Sequence, residues 1–431
     1  MRLQLARPAE HTSVVTWPLA ERLESWALED MHEVLGLHRH VVRMIVAPDA
    51  TYVVKELPDA LALREYRLLR ALADEGLPTA EVVGVVTGRT APWADEEVEA
   101  GAGPVVEREV DGLLITRHID YSLPYRVLLS NQGPQQMPYL SERLLDALAG
   151  LLVRLHLAGF YWGDCSLSNT LFRRDADALA AYVIDVETAE RHNELSFGQR
   201  HLDLQLATEN VAGDLLDIES AGRLAPGIDP VETSLAIGDR YERLWNELTI
   251  EEEFLVDETF RVDQRLRRLH ELGFDAGELE LVSTEDGERL RLVPKVVEHG
   301  FHAQRLRQLT GIVAGENQAR RLLHDIRRYG ATLEKRNGKR YREGVVAAKW
   351  VEDRYEPSIA AIPRHLAGKL EPAELYHQVL EHRWFISERA GYDVGMPETI
   401  EAYVRDVLTP LRGEQLAINE DPPTQELFLD L

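Results

Sequence analysis

Residues 156–187 constrain this chain more than any other stretch. They read His-Leu-Ala-Gly-Phe-Tyr-Trp-Gly-Asp-Cys-Ser-Leu-Ser-Asn-Thr-Leu-Phe and, after a short polar insert, Ala-Tyr-Val-Ile-Asp-Val-Glu. Asp164 stands five residues before Asn169, and sixteen further on Asp185 closes an apolar run with the look of a strand. Two carboxylates and an amide are expected to converge there.

A second feature lies upstream. Basic residues are overwhelmingly arginine, and residues 1–294 hold a single lysine, Lys55. Lysine offers a compact, rotatable ammonium where arginine offers a planar fork. Its isolation marks a place where that difference matters, although depletion of lysine codons would leave a few lysines by chance.

The pattern around Lys55 is β. Val41–Val46 and Thr51–Leu57 flank a Pro-Asp-Ala turn and predict a hairpin with Lys55 on its second strand. Pro58-Asp59 starts a helix whose apolar residues, Leu61 to Leu72, recur at helical spacing and which carries Glu65. A strand is expected at Val82–Val86, an exposed loop from Gly88 to about Gly112, and another strand over 113–119. Before the hairpin, Leu19, Leu23, Trp26 and Leu28 suggest a helix over Pro18–Met31.

A long helix over 140–159 leads into the central stretch, and a further helix is expected over 202–220, with Asp203 and Asn210 as polar positions. The Gly- and Pro-rich run 221–230 reads as a linker. Beyond it the sequence predicts amphipathic helices over 231–248, 251–272, 303–328, 341–354, 372–389 and 397–410, with a short hairpin around Asp286-Gly287. At 431 residues two cores are expected: a domain over 1–225, with lobes over about 1–116 and 120–225, then a mainly helical domain over 226–411, then an acidic tail over 412–431.

Composition narrows the function classes. The formal charge of −26 repels phosphate backbones and argues against nucleic acid as a partner. One cysteine, Cys165, excludes an internal disulfide framework. No run of eighteen apolar residues occurs, so neither membrane insertion nor a secretory signal is expected, and the reading is a cytoplasmic protein.

Phosphoryl transfer from a nucleotide needs a carboxylate to orient the acceptor hydroxyl, ligands for Mg²⁺ and a cation on the phosphates. The order Lys, Glu, Asp-x-x-x-x-Asn, Asp supplies them. Lys55 would bind the α and β phosphates, held by Glu65; Asp164 would be the catalytic carboxylate; Asn169 and Asp185 would be the metal ligands. With Gly163-Asp164, Asn169 and Ile184-Asp185-Val186-Glu187, the chain resembles the protein-kinase-like superfamily. It is closer in this loop to lipopolysaccharide kinases and to aminoglycoside and choline phosphotransferases than to eukaryotic protein kinases. The whole chain is similar to an uncharacterised bacterial family with a kinase-like N-terminal domain and a helical C-terminal domain of unknown function.

The resemblance implies an α+β, two-lobed kinase-like domain using ATP and Mg²⁺, with a small molecule or carbohydrate as acceptor. It places a hinge near Thr116–Ile119, where backbone groups of about Arg117 and Ile119 would meet the adenine edge. Two departures stand out. The Gly-rich phosphate loop is replaced by Gly36-Leu37-His38-Arg39-His40, so that Arg39 or its histidine neighbours would reach the phosphates, or the run is an ordinary turn. Trp162-Gly163 replaces His-Arg before the aspartate, which removes the usual receiver for a phosphorylated activation loop. Glu187 is read as a second metal contact or as an exposed acid, and His156 as a structural histidine. Two rival readings keep the fold: a pseudokinase scaffold acting through its helical domain, which would engage a protein partner or a second copy, and nucleotidyl transfer.

Overall fold

A computed structural model describes residues 1–34, 40–93, 106–129, 140–176, 178–249, 253–255, 279–283, 289–294 and 301–411. The chain is α+β, and the described residues form two compact units. One comprises residues 1–120 and 183–191, the other 121–182 and 192–411.

The first unit is built on a six-stranded antiparallel sheet. Its strands are β1 (Arg2–Leu5), β2 (Met31–Glu33), β3 (Val41–Val46), β4 (Thr51–Leu57), β5 (Val82–Thr87) and β8 (Gly112–Arg117), in the order β1-β5-β8-β4-β3-β2. The expected hairpin is present: β3 pairs with β4 in a register that sets Val42 opposite Lys55, closed by the Ala47 N–H on the Ala50 carbonyl at 3.0 Å. The period of two along β4 sends Tyr52 and Val54 into one core, and Lys55 to the opposite face. Helix α1 (Asp59–Asp74) buries Ala62, Glu65, Tyr66, Leu69 and Leu72, as its apolar spacing predicts.

Two expectations fail in this unit. Residues 18–31 form no α-helix. Short 3₁₀ turns at Thr12–Thr16 and Leu23–Ser25 precede β2, and Trp17, Leu19, Leu23 and Trp26 pack over the sheet. The reason is Arg89, fully buried, whose guanidinium donates to the carbonyls of Leu19 and Glu21 and to the Glu56 carboxylate. Those carbonyls would otherwise accept from the next helical turn. Arg89 also begins the second correction: part of the expected loop over 88–112 is a hairpin, β6 (Arg89–Trp93) against β7 (Val106–Val110).

The second unit starts with β9 (Ser122–Pro124) and α2 (Leu140–Leu157), whose apolar face is almost wholly buried. Strands β10 (Thr170–Asp175) and β11 (Ala178–Val183) join β9 in a three-stranded sheet of order β11-β10-β9. Helix α3 (Phe197–Ser220) begins at a capping box made by Ser196 and Gln199 and therefore starts five residues before the expected position. Helix α4 (Pro230–Thr249), beyond the run read as a linker, packs on both α2 and α3. The short hairpin near Asp286-Gly287 is observed as β13 (Leu279–Ser283) against β14 (Arg289–Pro294).

Of the helix expected over 251–272, the described part, Glu253–Leu255, is a strand (β12), paired with Arg289–Arg291 of β14. An available antiparallel ladder outweighs the helical spacing there. The helix expected over 303–328 is two, α5 (Phe301–Thr310) and α6 (Glu316–Asn337), because Gly311 takes a left-handed conformation (φ +76°) that ends the first. Helices α7 (Glu343–Trp350), α8 (Pro372–Ala390) and α9 (Met396–Tyr403) follow. Two apolar clusters organise this region, one around Trp350 and Tyr376, the other around Leu370, Leu375 and Tyr403. The tail expected over 412–431 lies outside the described residues. Among them, no helix is long and apolar enough to cross a membrane.

Candidate active site

In the first unit, Lys55 gathers acids. Its Nζ donates to Glu65 Oε1 and Oε2 at 3.1 and 3.3 Å and to Asp185 Oδ2 at 3.0 Å, with Glu187 Oε2 at 3.8 Å. Three local causes produce this. The register of β4 aims the lysine away from the Trp-rich core. Glu65 projects from the buried face of α1 and is 2% exposed. Residues 183–191 are tied in by the Val183 N–H on the Pro78 carbonyl, the Ala80 N–H on Val183, and Arg64 on the Ala189 carbonyl at 2.9 Å.

The electrostatics follow from one ammonium facing three carboxylates. Burial pulls the Lys55 pKa down, but Asp185 and Glu65 together hold it above its ordinary value. Burial and then the Asp185 charge push Glu65 up to about 8. Burial raises Asp185 too, yet Lys55 and the Glu187 N–H outweigh it and hold the carboxyl below the usual range. Asp185 is therefore the ionised oxygen donor of the group, and the excess of negative charge suits a hard divalent cation.

In the second unit, Asp164 is held by amides. Asn169 Nδ2 donates to Asp164 Oδ2 at 2.9 Å and to the Asp164 carbonyl at 3.1 Å, and Asn210 Nδ2 donates to Asp164 Oδ1 at 3.1 Å. Asn169 spends its NH₂ group on these two bonds, so its amide oxygen is the atom suited to a metal. Gly163, at φ +75°, turns the backbone into the loop and gives a reason for glycine at the position where protein kinases carry arginine.

The loop rests on two further acids. Asp203, fully buried, accepts from the Trp162 N–H at 2.7 Å, the Gly163 N–H at 2.8 Å and His156 Nε2 at 3.0 Å; the other ring nitrogen of His156 meets the Tyr241 hydroxyl at 2.7 Å. His156 is thus structural, as expected. Asp214 accepts from the Leu167 and Ser168 N–H groups, from Ser168 Oγ and from the Tyr125 hydroxyl. Cys165 is buried, which pushes its thiol pKa well up and makes it an inert packing group.

Asn210, Asp214 and Tyr241 had no assigned role in the sequence reading. A signal for two of them existed: Asp203, Asn210 and Asp214 lie seven and four apart, one face of one helix. Tyr241 sits on α4, past the run read as a linker, and no spacing rule connects it to His156.

At the expected hinge the Arg117 N–H donates to the Glu81 carbonyl and the His118 N–H to that of Thr51, both at 2.8 Å. The Arg117 guanidinium lies 3.6 Å from Glu81. Ile119 is the second residue past the end of β8. Arg39 lies outside the described residues, whereas His40 is 3.6 Å from Glu187. Further along the chain, His302 Nδ1 meets Glu316 Oε1 at 2.7 Å.

No curated protein matches the chain. Among solved structures it is similar to WaaP in complex with acyl carrier protein, at 16% identity and a TM-score of 0.35, over 63% of this chain and 99% of that one. It is also similar to the Rio2 kinase complex with ADP, Mg²⁺ and phosphoaspartate from Chaetomium thermophilum, at 14% identity and a TM-score of 0.30, over 62% of this chain and 76% of that one. Residues 243–408 match a family model described as a domain of unknown function, DUF4032.

Proposed function

We propose that this protein is an ATP- and Mg²⁺-dependent phosphotransferase that moves the γ-phosphoryl group to a hydroxyl of a small molecule or carbohydrate. The observation that carries the reading is the meeting of Lys55 with both Glu65 and Asp185, residues 10 and 130 positions away in the chain. A scaffold has no chemical need for a buried acid dedicated to holding a lysine beside a metal-type carboxylate.

Lys55 contacts the α and β phosphates and Glu65 keeps its ammonium in place. Asp185 and the Asn169 amide oxygen would hold Mg²⁺, which supplies charge neutralisation on the phosphates. Backbone groups of about Arg117 and Ile119 meet the adenine edge. Asp164 orients the acceptor hydroxyl and takes its proton as the new O–P bond forms. The bond from the γ-phosphorus to the bridging oxygen breaks and ADP leaves with that electron pair. The two amides on Asp164 fix its carboxylate plane, so orientation is set before the acceptor arrives.

A thermal-shift titration with ATP tests the reading. Stabilisation that requires Mg²⁺ and disappears in Asp185→Asn is expected, and no shift with ATP and metal would sink it. ATP labelled at the γ or at the α phosphate then separates phosphoryl from nucleotidyl transfer: only the γ label should reach product.

A further inference from the structure

Strand β10 has the Asp164–Asn169 loop at one end and a buried polar anchor at the other. The anchor is Asp175, 3% exposed. Its Oδ1 accepts from the Gln318 N–H at 2.9 Å, and its Oδ2 accepts from the Asn317 N–H at 3.0 Å and Asn317 Nδ2 at 3.2 Å. These are the first N–H groups of α6, which its own residues leave without a partner. The N-cap of α6 is Gly315, with no side chain to cap the helix, and an acid from the sheet does the capping instead.

Three further contacts bind the same turn. Gln318 Nε2 donates to the Arg174 carbonyl at 3.2 Å and to Glu374 Oε2 at 2.7 Å, and that oxygen also accepts the Ala176 N–H at 3.3 Å. Arg173 forms a part-buried ion pair with Glu371. Two features show that the fit is specific. Ala176 holds φ +57°, a left-handed conformation unfavourable for alanine, so the surroundings impose it. At Gly315 a Cβ would lie 2.4 Å from Asp175 Oδ1, so only glycine permits the approach.

We propose that the helical region of residues 301–411 positions the Asp164–Asn169 loop through β10, with Asp175 in the α6 N-terminus as the joint. A strand is stiff along its length, and Asn169 precedes its first residue. The Asn169 N–H donates to Ser166 Oγ at 3.1 Å and Thr170 Oγ1 to the Ser166 carbonyl at 2.7 Å, so a shift of β10 is passed to the loop. Helices matched only as a domain of unknown function thereby become a positioning element for the catalytic loop. The catalytic meaning of this joint rests on the function proposed above; the mechanical coupling does not.

Hydrogen exchange of the full-length chain tests the coupling without nucleotide. In Gly315→Ala the amides of residues 166–175 should exchange about tenfold faster or more, the change that losing one to two hydrogen bonds predicts, while β4 amides keep their rates. Faster exchange confined to residues 315–320 would overturn the proposal. Should Gly315→Ala not fold, Asp175→Asn keeps one acceptor oxygen and should show the same pattern more weakly; an unchanged 166–175 segment in that variant overturns it equally.

The readout specific to positioning is metal affinity. Asp175→Asn should raise the Mg²⁺ concentration for half-maximal ATP stabilisation about fivefold, the effect of about one weakened hydrogen bond, with the metal-free melting temperature little changed. If the wild-type chain shows no Mg²⁺-dependent shift, the kinase reading fails, and the exchange result still decides the coupling.

Discussion

Around Lys55 the partners are three carboxylates at 3.0–3.8 Å, whereas around Asp164 they are two side-chain amides at 2.9–3.1 Å, with backbone N–H groups below it anchored on Asp203 and Asp214. The first arrangement is a charge cluster with a negative surplus. The second is a hydrogen-bond frame in which neutral amide and backbone donors hold the acids. Charge clusters tune affinity and protonation over several ångströms, while hydrogen-bond frames fix orientation within tenths of an ångström. A lysine that must meet phosphates is served by the first, and a carboxylate that must aim at a hydroxyl by the second.

The largest effect should come from breaking the frame. Asp203→Ala leaves two loop N–H groups and His156 without their shared acceptor, and the loss should be about 3–5 kcal/mol of unfolding free energy. Urea melts measure it, and a loss below about 1 kcal/mol would show that water or a neighbour replaces the carboxylate.

Breaking the cluster should separate activity from stability. Lys55→Met should lower ATP turnover, followed as ADP release, about 100- to 1000-fold. Its melting temperature should fall far less than that of Asp203→Ala, because Glu65, already pushed up to about 8, carries its proton near pH 7 and is not left as a bare buried charge when its cation is removed. A variant that melts early but turns over ATP normally would reverse the comparison.

A smaller change sharpens it. Asn210→Ala removes the donor to Asp164 Oδ1 and leaves Asn169 on Oδ2, so stability should drop by about 1 kcal/mol. Turnover should fall while the affinity for ATP stays constant, since only the hydroxyl-facing acid has lost a support. Equal losses in both would place Asn210 in nucleotide binding.

The mildest effect lies away from both groups. Burial raises the Glu316 carboxyl, but bonds from the His302 ring and the His302 and Ala303 N–H groups outweigh it and hold it below the ordinary carboxylate value. The sign follows: a lowered folded pKa gives stability present above about pH 4.5 and lost as pH falls through the folded value. Glu316→Gln should cost about 1 kcal/mol at pH 7, and the gap to wild type should close below pH 4.5. A gap independent of pH would mean that the histidine contact does not depend on the carboxylate charge.

Local pattern carried the sheet and helices around Lys55 well. Alternation along β4 and helical spacing in α1 both require burial of one face, and each places one functional side chain by periodicity alone. The same rules misread residues 18–31, where the apolar spacing suits a helix but a buried arginine 70 and 68 positions away takes the carbonyls of Leu19 and Glu21. They also ran α5 and α6 together, because the left-handed turn at Gly311 depends on one residue inside an otherwise helical run.

The primary sequence therefore determined which groups are present and in what order: an isolated lysine, a helical glutamate, an aspartate five before an asparagine, and an acid at a strand end. Spacing rules reach about one helical turn or one strand, so they identified those groups within their own elements. Tertiary structure alone decided what each group touches. The Lys55–Asp185 contact spans 130 residues, Asn210 meets Asp164 across 46, and Asp175 meets α6 across 142, and such pairings depend on how whole elements pack, which no local period records.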